Sequence, residues 1–233
     1  DSYTISGSNI VFASALTGSD SIDFITVLGD VLNVGTVSDG TIGLAKLSAT
    51  GTKDATTFLR GDNSFAEAGA TAGQVIQVVQ TVKTDTFSAT LASGTFTGEV
   101  TGLTASITPS SASNKVLVHC VIDMGCSAGT RLSTALYKGG SVITSATGDS
   151  AGSRSRVTSS SNIGATTSFY MHGMISFMYL DSPSTTSSTT YSVRMMQGSG
   201  GSATIYVNRA SEDDDASYQV RSISTITVME VKG

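Results

Sequence analysis

KVLVHCVIDM, residues 115–124, decides the fold. Val116, Val118, Cys120, Ile122 and Met124 recur at every second position, with Lys115, Leu117, His119, Val121 and Asp123 between them. A strand turns successive side chains to opposite faces, so the first row faces a core and His119 points to the other side. The same alternation spreads outward in both directions. Phe87, Ala89 and Leu91 share a face upstream; Leu132, Thr134 and Leu136 lead downstream into a turn at Gly139-Gly140 and then Ser141-Val142-Ile143. Tyr191, Val193 and Met195 alternate next, followed by Ala203, Ile205 and Val207. Short strands between Ser-, Thr- and Gly-rich turns predict a β-sandwich or jelly roll over 74–233.

Composition agrees with an all-β reading. Only 13% of residues are charged, about half the usual fraction. Helix-forming charged residues are replaced by Ser, Thr and 25 Gly, which suit strands and turns better than helices. The net charge of −5 and the scattering of 13 Lys and Arg argue against a nucleic-acid partner, whose phosphates need clustered cations. No apolar run approaches the ~20 residues of a helical membrane span. Cys120 and Cys126 share a strand parity and would lie ~20 Å apart on a straight strand, too far to bridge unless the chain turns at Gly125. Two free buried thiols are expected, which suits assembly in a reducing compartment.

Two stretches carry more apolar surface than one sheet face can use. FYMHGMISFMYL, 169–180, has Phe169, Met171, Ile175, Phe177 and Tyr179 on one parity and Tyr170, Met174, Met178 and Leu180 on the other. The final stretch, 218–231, is apolar on both parities as well. One face of each can enter the core; a subunit interface that includes Met174 and Met178 is the simplest recipient for the other.

The first 73 residues differ from the rest. YTI and IVF flank SGSN and predict a hairpin, with a third strand at 22–28; three such strands are marginal alone, so 1–29 reads as the end of an upstream β domain. Residues 30–73 show no sustained period, apart from a possible helical turn at 41–47, and are too long for an ordinary loop. Their apolar side chains, Leu32, Val34, Leu44, Leu47, Phe58 and Leu59 among them, need burial that copies of the chain around a shared axis would supply. An extended, intertwined trimeric neck is the expectation.

Motifs for catalysis or metal binding are weak. His119 and His172 are the only histidines and neither sits in a close-spaced ligand motif, so no metal is expected. Glu212-Asp213-Asp214-Asp215 reads as a solvated acidic loop; the alternating spacing and glycine of a dedicated calcium loop are missing. Arg60-Gly61-Asp62 reads as a turn with charged flanks rather than an integrin ligand. A glycan-degrading site would need paired carboxylates and aromatic platforms, yet Trp is absent and Asp123 and Glu230 are isolated; no GxSxG elbow marks a nucleophile. No catalytic residue and no cofactor are assigned. Binding then falls to loops. The first candidate is 147–167, read as a long loop with no strand pattern, which offers Arg154, Arg156 and Asn162; the second is 208–215, with Arg209, Asp213 and Asp214. Arginine donors suit phosphate or carboxylate groups.

Several segments together resemble the C-terminal regions of bacteriophage tail fibres from phages of marine and other bacteria. TTFLRGDNSF (56–65) is similar to the TFLRGDGTW-like stretch of such fibres, with Asn63-Ser64-Phe65 in place of Gly-Thr-Trp. QTVKTDTFS (80–88), VTGL (100–103), ITPSSASNKVLV (107–118), SFMYLDSP (176–183), YVN (206–208) and STITVMEV (224–231) follow in the same order. YTISGSNIVF (3–12) and LGDVLNVGTVSDGTI (28–42) resemble the end of a β domain and the neck beyond it. The resemblance implies a homotrimer, a jelly-roll-like head and a receptor-binding role. Its expected partners are other phage tail proteins and a bacterial surface glycan or outer-membrane protein, and its expected place is the virion, after assembly in the host cytoplasm. It carries over no catalytic residue and names no receptor. A purely structural fibre or decoration domain and a glycan-degrading fibre are the competing expectations.

Overall fold

Tyr3–Ser6 and Asn9–Phe12 pair as antiparallel strands β1 and β2, from Tyr3↔Phe12 to Ser6↔Asn9, with Gly7 at φ 62° in the turn. The structure, a computed structural model, describes residues 3–7, 9–22, 48–163 and 170–233. The chain divides into two compact units, Asp1–Ala68 and Gly69–Gly233. The strand expected at 22–28, the helical turn at 41–47, and Leu32, Val34, Leu44 and Leu47 fall wholly or largely outside the described residues; Ile22 is described, and is exposed.

The first unit contains a second hairpin, β3 (Thr57–Leu59) with β4 (Phe65–Glu67), inside the segment that showed no period. Three residues per strand are too few for alternation to register, and polar groups set the turn instead. Asp62 accepts from the Ser64 backbone N–H at 3.1 Å and from its hydroxyl at 2.6 Å, while Asn63 takes φ 61° and Arg60 N–H donates to the Ser64 carbonyl at 2.8 Å. Arg60-Gly61-Asp62 is therefore a hairpin turn. The hydrogen bonds from Ser64 hold the Asp62 carboxyl below its ordinary pKa. Phe58 and Leu59 remain exposed in the single chain.

The second unit is a sandwich of two antiparallel sheets. Its strands are β5 (Val75–Lys83), β6 (Phe87–Ala92), β7 (Thr104–Ile107), β8 (Lys115–Cys126), β9 (Thr130–Lys138), β10 (Ser141–Val142), β11 (Ser159–Ile163), β12 (His172–Asp181), β13 (Thr189–Gln197), β14 (Ser202–Val207) and β15 (Ser224–Val231). One sheet runs β5-β15-β8-β12; the other runs β7-β13-β9 and continues into β11 and β10 along the far edge of β9. With β5, β7, β8, β9, β11, β12, β13 and β15 taken as eight successive strands, the first pairs the last, the last pairs the third, and the third pairs the sixth. The second, seventh, fourth and fifth form the facing sheet. That wrapping of two Greek keys is jelly-roll connectivity. β6 and β14 are an added pair that extends the first sheet from the C-terminal half of β8.

The alternation read from the sequence locates the core. Val116, Val118, Cys120, Ile122 and Met124 are fully buried, packed with Leu132, Leu136, Tyr191, Val193, Met195, Ile205, Val207, Ile226 and Val228. Both thiols are free, and β8 runs on through Gly125 instead of turning there. Gly125 is needed for close approach: a Cβ would stand 2.6 Å from the Arg209 carbonyl oxygen, which crosses over the strand. Burial pushes the Cys120 thiol pKa up, so it stays protonated and unreactive. Gly139 and Gly140, at φ 55° and 80°, close the β9–β10 hairpin in the conformation that two-residue loops favour.

Three strand boundaries differ from the sequence reading. β15 begins at Ser224, and Tyr218, Val220 and Ile223 lie before it, exposed, so their apolar character belongs to a loop. β12 begins at His172, with Tyr170 and Met171 exposed ahead of it. Within 147–167, Ser159–Ile163 forms β11 against β9. Its SSSNI sequence has a single apolar residue, and an edge strand held by backbone pairing and a Ser133–Ser160 hydroxyl contact leaves no hydrophobic period to read.

Candidate functional site

β12 links two polar centres, one at each end, and both are built around a buried aspartate. At its start His172 pairs with Gly125 of β8, next to Asp123; at its finish Asp181 pairs with Val116.

The Asp181 end opens into a cleft of about 390 Å³ lined by Lys138, Ser141, Val142, Ile143, Ser145, Tyr179, Asp181 and Ser182. That volume falls within the range of small-molecule sites. β9 ends at Lys138, the glycine turn reverses the chain into Ser141 and Val142, and a 3-10 turn at Thr144–Ala146 brings Ser145 across from β12. Asp181 and Tyr179 share the inward parity of β12, so β12 and the residue after it supply the carboxylate, the phenol and Ser182, while β9 and the chain beyond it supply Lys138, Ser141 and Ser145. Asp181 is 4% exposed. Its Oδ2 accepts from Lys138 Nζ at 2.8 Å and from Tyr191 Oη at 2.7 Å. Tyr191 is fully buried, and burial, together with its hydrogen bond to Asp181 and that negative charge, raises the phenol pKa far above its ordinary value. Tyr191 therefore remains a donor, and Asp181 Oδ2 is held by two of them. Tyr179 Oη donates to Ser145 Oγ at 2.6 Å, and Lys115 Nζ donates to Ser182 Oγ at 2.8 Å.

The Asp123 end is a closed clasp. Asp123 Oδ2 is hydrogen-bonded both by His172 Nδ1 and by the Ser222 hydroxyl. Asn208, at φ 62° just after β14, donates its backbone N–H to the Asp123 carbonyl at 3.0 Å and its amide to the Lys83 and Asp85 carbonyls at 2.9 Å each. The Ser224 hydroxyl donates to Asn208 Oδ1 at 2.7 Å and accepts from Asp123 N–H at 3.0 Å. These bonds fill the gap on β8 where β14 ends and β15 begins. Ser, His and Asp meet here, yet the serine bonds to the carboxylate and not to the imidazole. A nucleophile needs its base within hydrogen-bond reach, so the clasp is not arranged as a hydrolase relay.

The residues singled out from the sequence lie elsewhere. Arg156 is exposed but spends its donors within its own loop, on the Gly148 carbonyl at 2.6 Å and the Thr144 carbonyl at 3.2 Å; Arg154 contacts the Ala151 carbonyl at 3.3 Å. Asn162 sits on β11 opposite Arg131. Arg209 stacks on Tyr206 at 4.1 Å and reaches Asp213 at 3.4 Å, and Asp213 also pairs with Arg221 at 2.7 Å. Asp214 is exposed. No hydrogen bond or ion pair joins the 147–167 set to the 208–215 set among the described residues. The acidic run is thus partly neutralised by arginines, and no group of three His, Cys, Asp or Glu side chains converges among the described residues. Sequence reasoning missed the cleft because its members come from two stretches far apart in the chain, 138–145 and 179–182. The one signal that could have found it is Asp181, a carboxylate on the core-facing parity at the end of an apolar strand.

The outer surface of the first sheet is the remaining feature. The registers align Val78, Met229, Leu117 and Leu180 in one transverse row, Gln80, Thr227, His119 and Met178 in the next, and Val82, Thr225, Val121 and Ser176 in a third. These rows hold no Asp, Glu, Lys or Arg. Val78, Met178 and Leu180 are half or more exposed, as is Met174 beside them.

No family model matches the chain, and no curated protein matches it. Among solved structures, a structure of infectious bursal disease virus Gx strain is similar over 73% of this chain and 40% of that one, at 12% identity and a TM-score of 0.35. A structure of the Gt strain covers 85% and 47%, at 12% identity and a TM-score of 0.34. The infectious bursal disease virus VP2 subviral particle covers 72% and 44%, at 10% identity and a TM-score of 0.32. The chain spans less than half the length of these chains.

Proposed function

We propose that this chain is the receptor-binding end of a bacteriophage tail fibre, a trimeric, non-enzymatic adhesin that contacts a bacterial surface. The observation that carries the reading is the bare apolar half of the first sheet, where Val78, Leu117, Met178, Leu180 and Met229 present a dry surface on a strand layer whose other side already fills the core. Patches of this kind mark interaction surfaces, and sharing among copies of one chain is the economical way to cover them. The motif order shared with tail fibres supports three copies and a place in the virion. Phe58 and Leu59, exposed on β3, are apolar side chains that copies of the chain would cover in the first unit, and Leu32, Val34, Leu44 and Leu47 of the neck are proposed to be covered in the same way. The cleft at Asp181, the loops that carry Arg154, Arg156, Arg209, Asp213 and Asp214, and Asn162 on the edge strand β11 are then the surfaces offered to the host. Three copies raise a weak single-site affinity by ~10²–10⁴.

Sedimentation of the full chain gives the first test: three copies per particle are expected, and a stable, well-folded monomer sinks the trimer. Labelled chain that adheres to host cells supports an adhesin. A trimer without adherence would leave a structural fibre part, and release of reducing sugar ends from host polysaccharide would identify an enzyme.

A further inference from the structure

We propose that the cleft between β12 and the β9–β10 hairpin binds an uncharged sugar unit. The charge on its lining cancels: Lys138 and Asp181 are paired at 2.8 Å, and the other lining residues are Ser141, Val142, Ile143, Ser145, Tyr179 and Ser182. A phosphate or carboxylate ligand would meet Lys138 already held by a buried partner, with Lys115 outside the lining and bound to Ser182 Oγ at 2.8 Å, and an ammonium ligand would have to take Asp181 from Lys138. A hydroxyl ligand needs neither exchange. Asp181 also has acceptor capacity to spare. Both its bonds fall on Oδ2, while Oδ1 has no partner among the described residues, and a carboxylate only 4% exposed gains from a donor there. The serine hydroxyls of 141, 145 and 182 each offer a donor and an acceptor, the mixture that a polyol presents in return. Val142, Ile143 and the Tyr179 ring supply apolar surface for the C–H face of a pyranose. The arginine-bearing loops have the opposite chemistry, so this is a separate subsite. The inference rests on the adhesin reading in taking a cell-surface glycan as the ligand.

The test uses the full chain and the methyl glycosides of glucose, galactose and mannose, with glucuronate, glucosamine and inorganic phosphate as charged probes. Saturation-transfer NMR is expected to show contact with at least one methyl glycoside and with none of the charged probes. Calorimetry is expected to show that Asp181→Asn weakens that binding about tenfold and Ser141→Ala about threefold. Ser141 is exposed and its side chain makes no hydrogen bond among the described residues, so S141A separates loss of binding from loss of structure if D181N melts early. Binding of a charged probe alone, or glycoside binding unchanged in S141A and in a folded D181N, overturns the proposal. The two readings fail separately. Chain that adheres to host cells while every methyl glycoside is ignored discards the neutral sugar and keeps the adhesin. Glycoside binding in the cleft without adherence keeps the sugar site and discards the adhesin.

Discussion

On the outer surface of the six-stranded sheet, the β5-β15-β8-β12 part presents Val78, Met229, Leu117, Leu180 and Met178, whereas the β6–β14 extension presents Ser88, Thr90, Ser202 and Thr204, with Tyr206 covered by the Arg209 guanidinium. Both parts belong to one sheet, cover the same core, and come from a chain rich in Ser and Thr. On the extension, Thr90 and Thr204 face each other across the strands with their hydroxyls 2.8 Å apart, a pairing compatible with water. On the other part Met, Leu and Val fill the whole row from Val78 to Leu180, and the rows beside it add Met178, Val82 and Val121 among uncharged polar residues. The extension thus shows what this chain places on a wet face, and the contrast is what the proposed shared surface on the apolar part rests on.

The sharpest way to break that contrast is to charge the apolar part. Met178→Glu together with Leu180→Glu places two carboxylates where a neighbouring copy would pack. Each large apolar side chain buried at an interface contributes about 1.5–3 kcal/mol, and the variant also buries charge, so complete dissociation to monomers is expected in sedimentation velocity. Far-UV circular dichroism should stay that of a β protein, because neither side chain touches the core. A double variant that still sediments as wild type would show that this face covers nothing.

A smaller loss is expected from the opposite side of β8. Ile122→Ala leaves a cavity in a fully buried site and should cost about 2–5 kcal/mol in denaturant unfolding. Its effect should not depend on protein concentration, since the packing it removes lies within one chain. The outer-face variant, already monomeric, should have a deficit against the wild type that shrinks on dilution, because only the wild type loses stability as its assembly is diluted. If both kinds of variant respond alike to dilution, the division between a core face and a shared face fails.

The core face and its alternation were legible in the sequence because period 2 with apolar residues is a strong signal, and Val116 to Met124 carried it in one strand. The double-sided character of β12 was legible for the same reason, and Met174 and Met178 are indeed among the exposed side chains. What escaped was either polar or non-local. β11 is made of serines and is held by its neighbour's backbone. The stretch before Ser224 is apolar without being a strand, since periodicity is silent about where pairing stops. The cleft joins residues 138–145 to 179–182, and the clasp joins 123 to 172, 208, 222 and 224, so neither exists until the sheets are stacked.

A modest, pH-dependent effect sits at the end of the core face. Burial alone would raise the Glu230 pKa. Hydrogen bonds from the Asn114 and Ser110 side chains and from the Ser110 and Ser111 backbone outweigh it and hold the carboxyl below its ordinary value of 4.5. A depressed folded pKa contributes stability that is present above the unfolded pKa and is lost as pH falls through the folded one. Stability of the wild type should therefore fall as pH drops below about 4.5, and Glu230→Gln should make that acid limb shallower in denaturant titrations. The limb will not vanish, since Asp54, Asp62 and Asp85 also have lowered pKa values, each held down mainly by side-chain hydrogen bonds. An unchanged slope in E230Q would mean that this carboxylate is not held in its ionised form by Asn114 and Ser110.

The smallest effect belongs to the wet half, and it is the control for everything else. Thr90→Glu puts one charge on an exposed position of the extension, the counterpart of the charges placed on β12. The hydroxyl bond with Thr204 is broken, but both groups reach water, so stability should move by no more than about 0.5 kcal/mol and sedimentation should not change. Dissociation caused by T90E would place the interface on the extension as well, and the difference in composition between the two halves would then have another cause. An assembly indifferent to Thr90→Glu yet abolished by Met178→Glu with Leu180→Glu confines the shared surface to β5-β15-β8-β12.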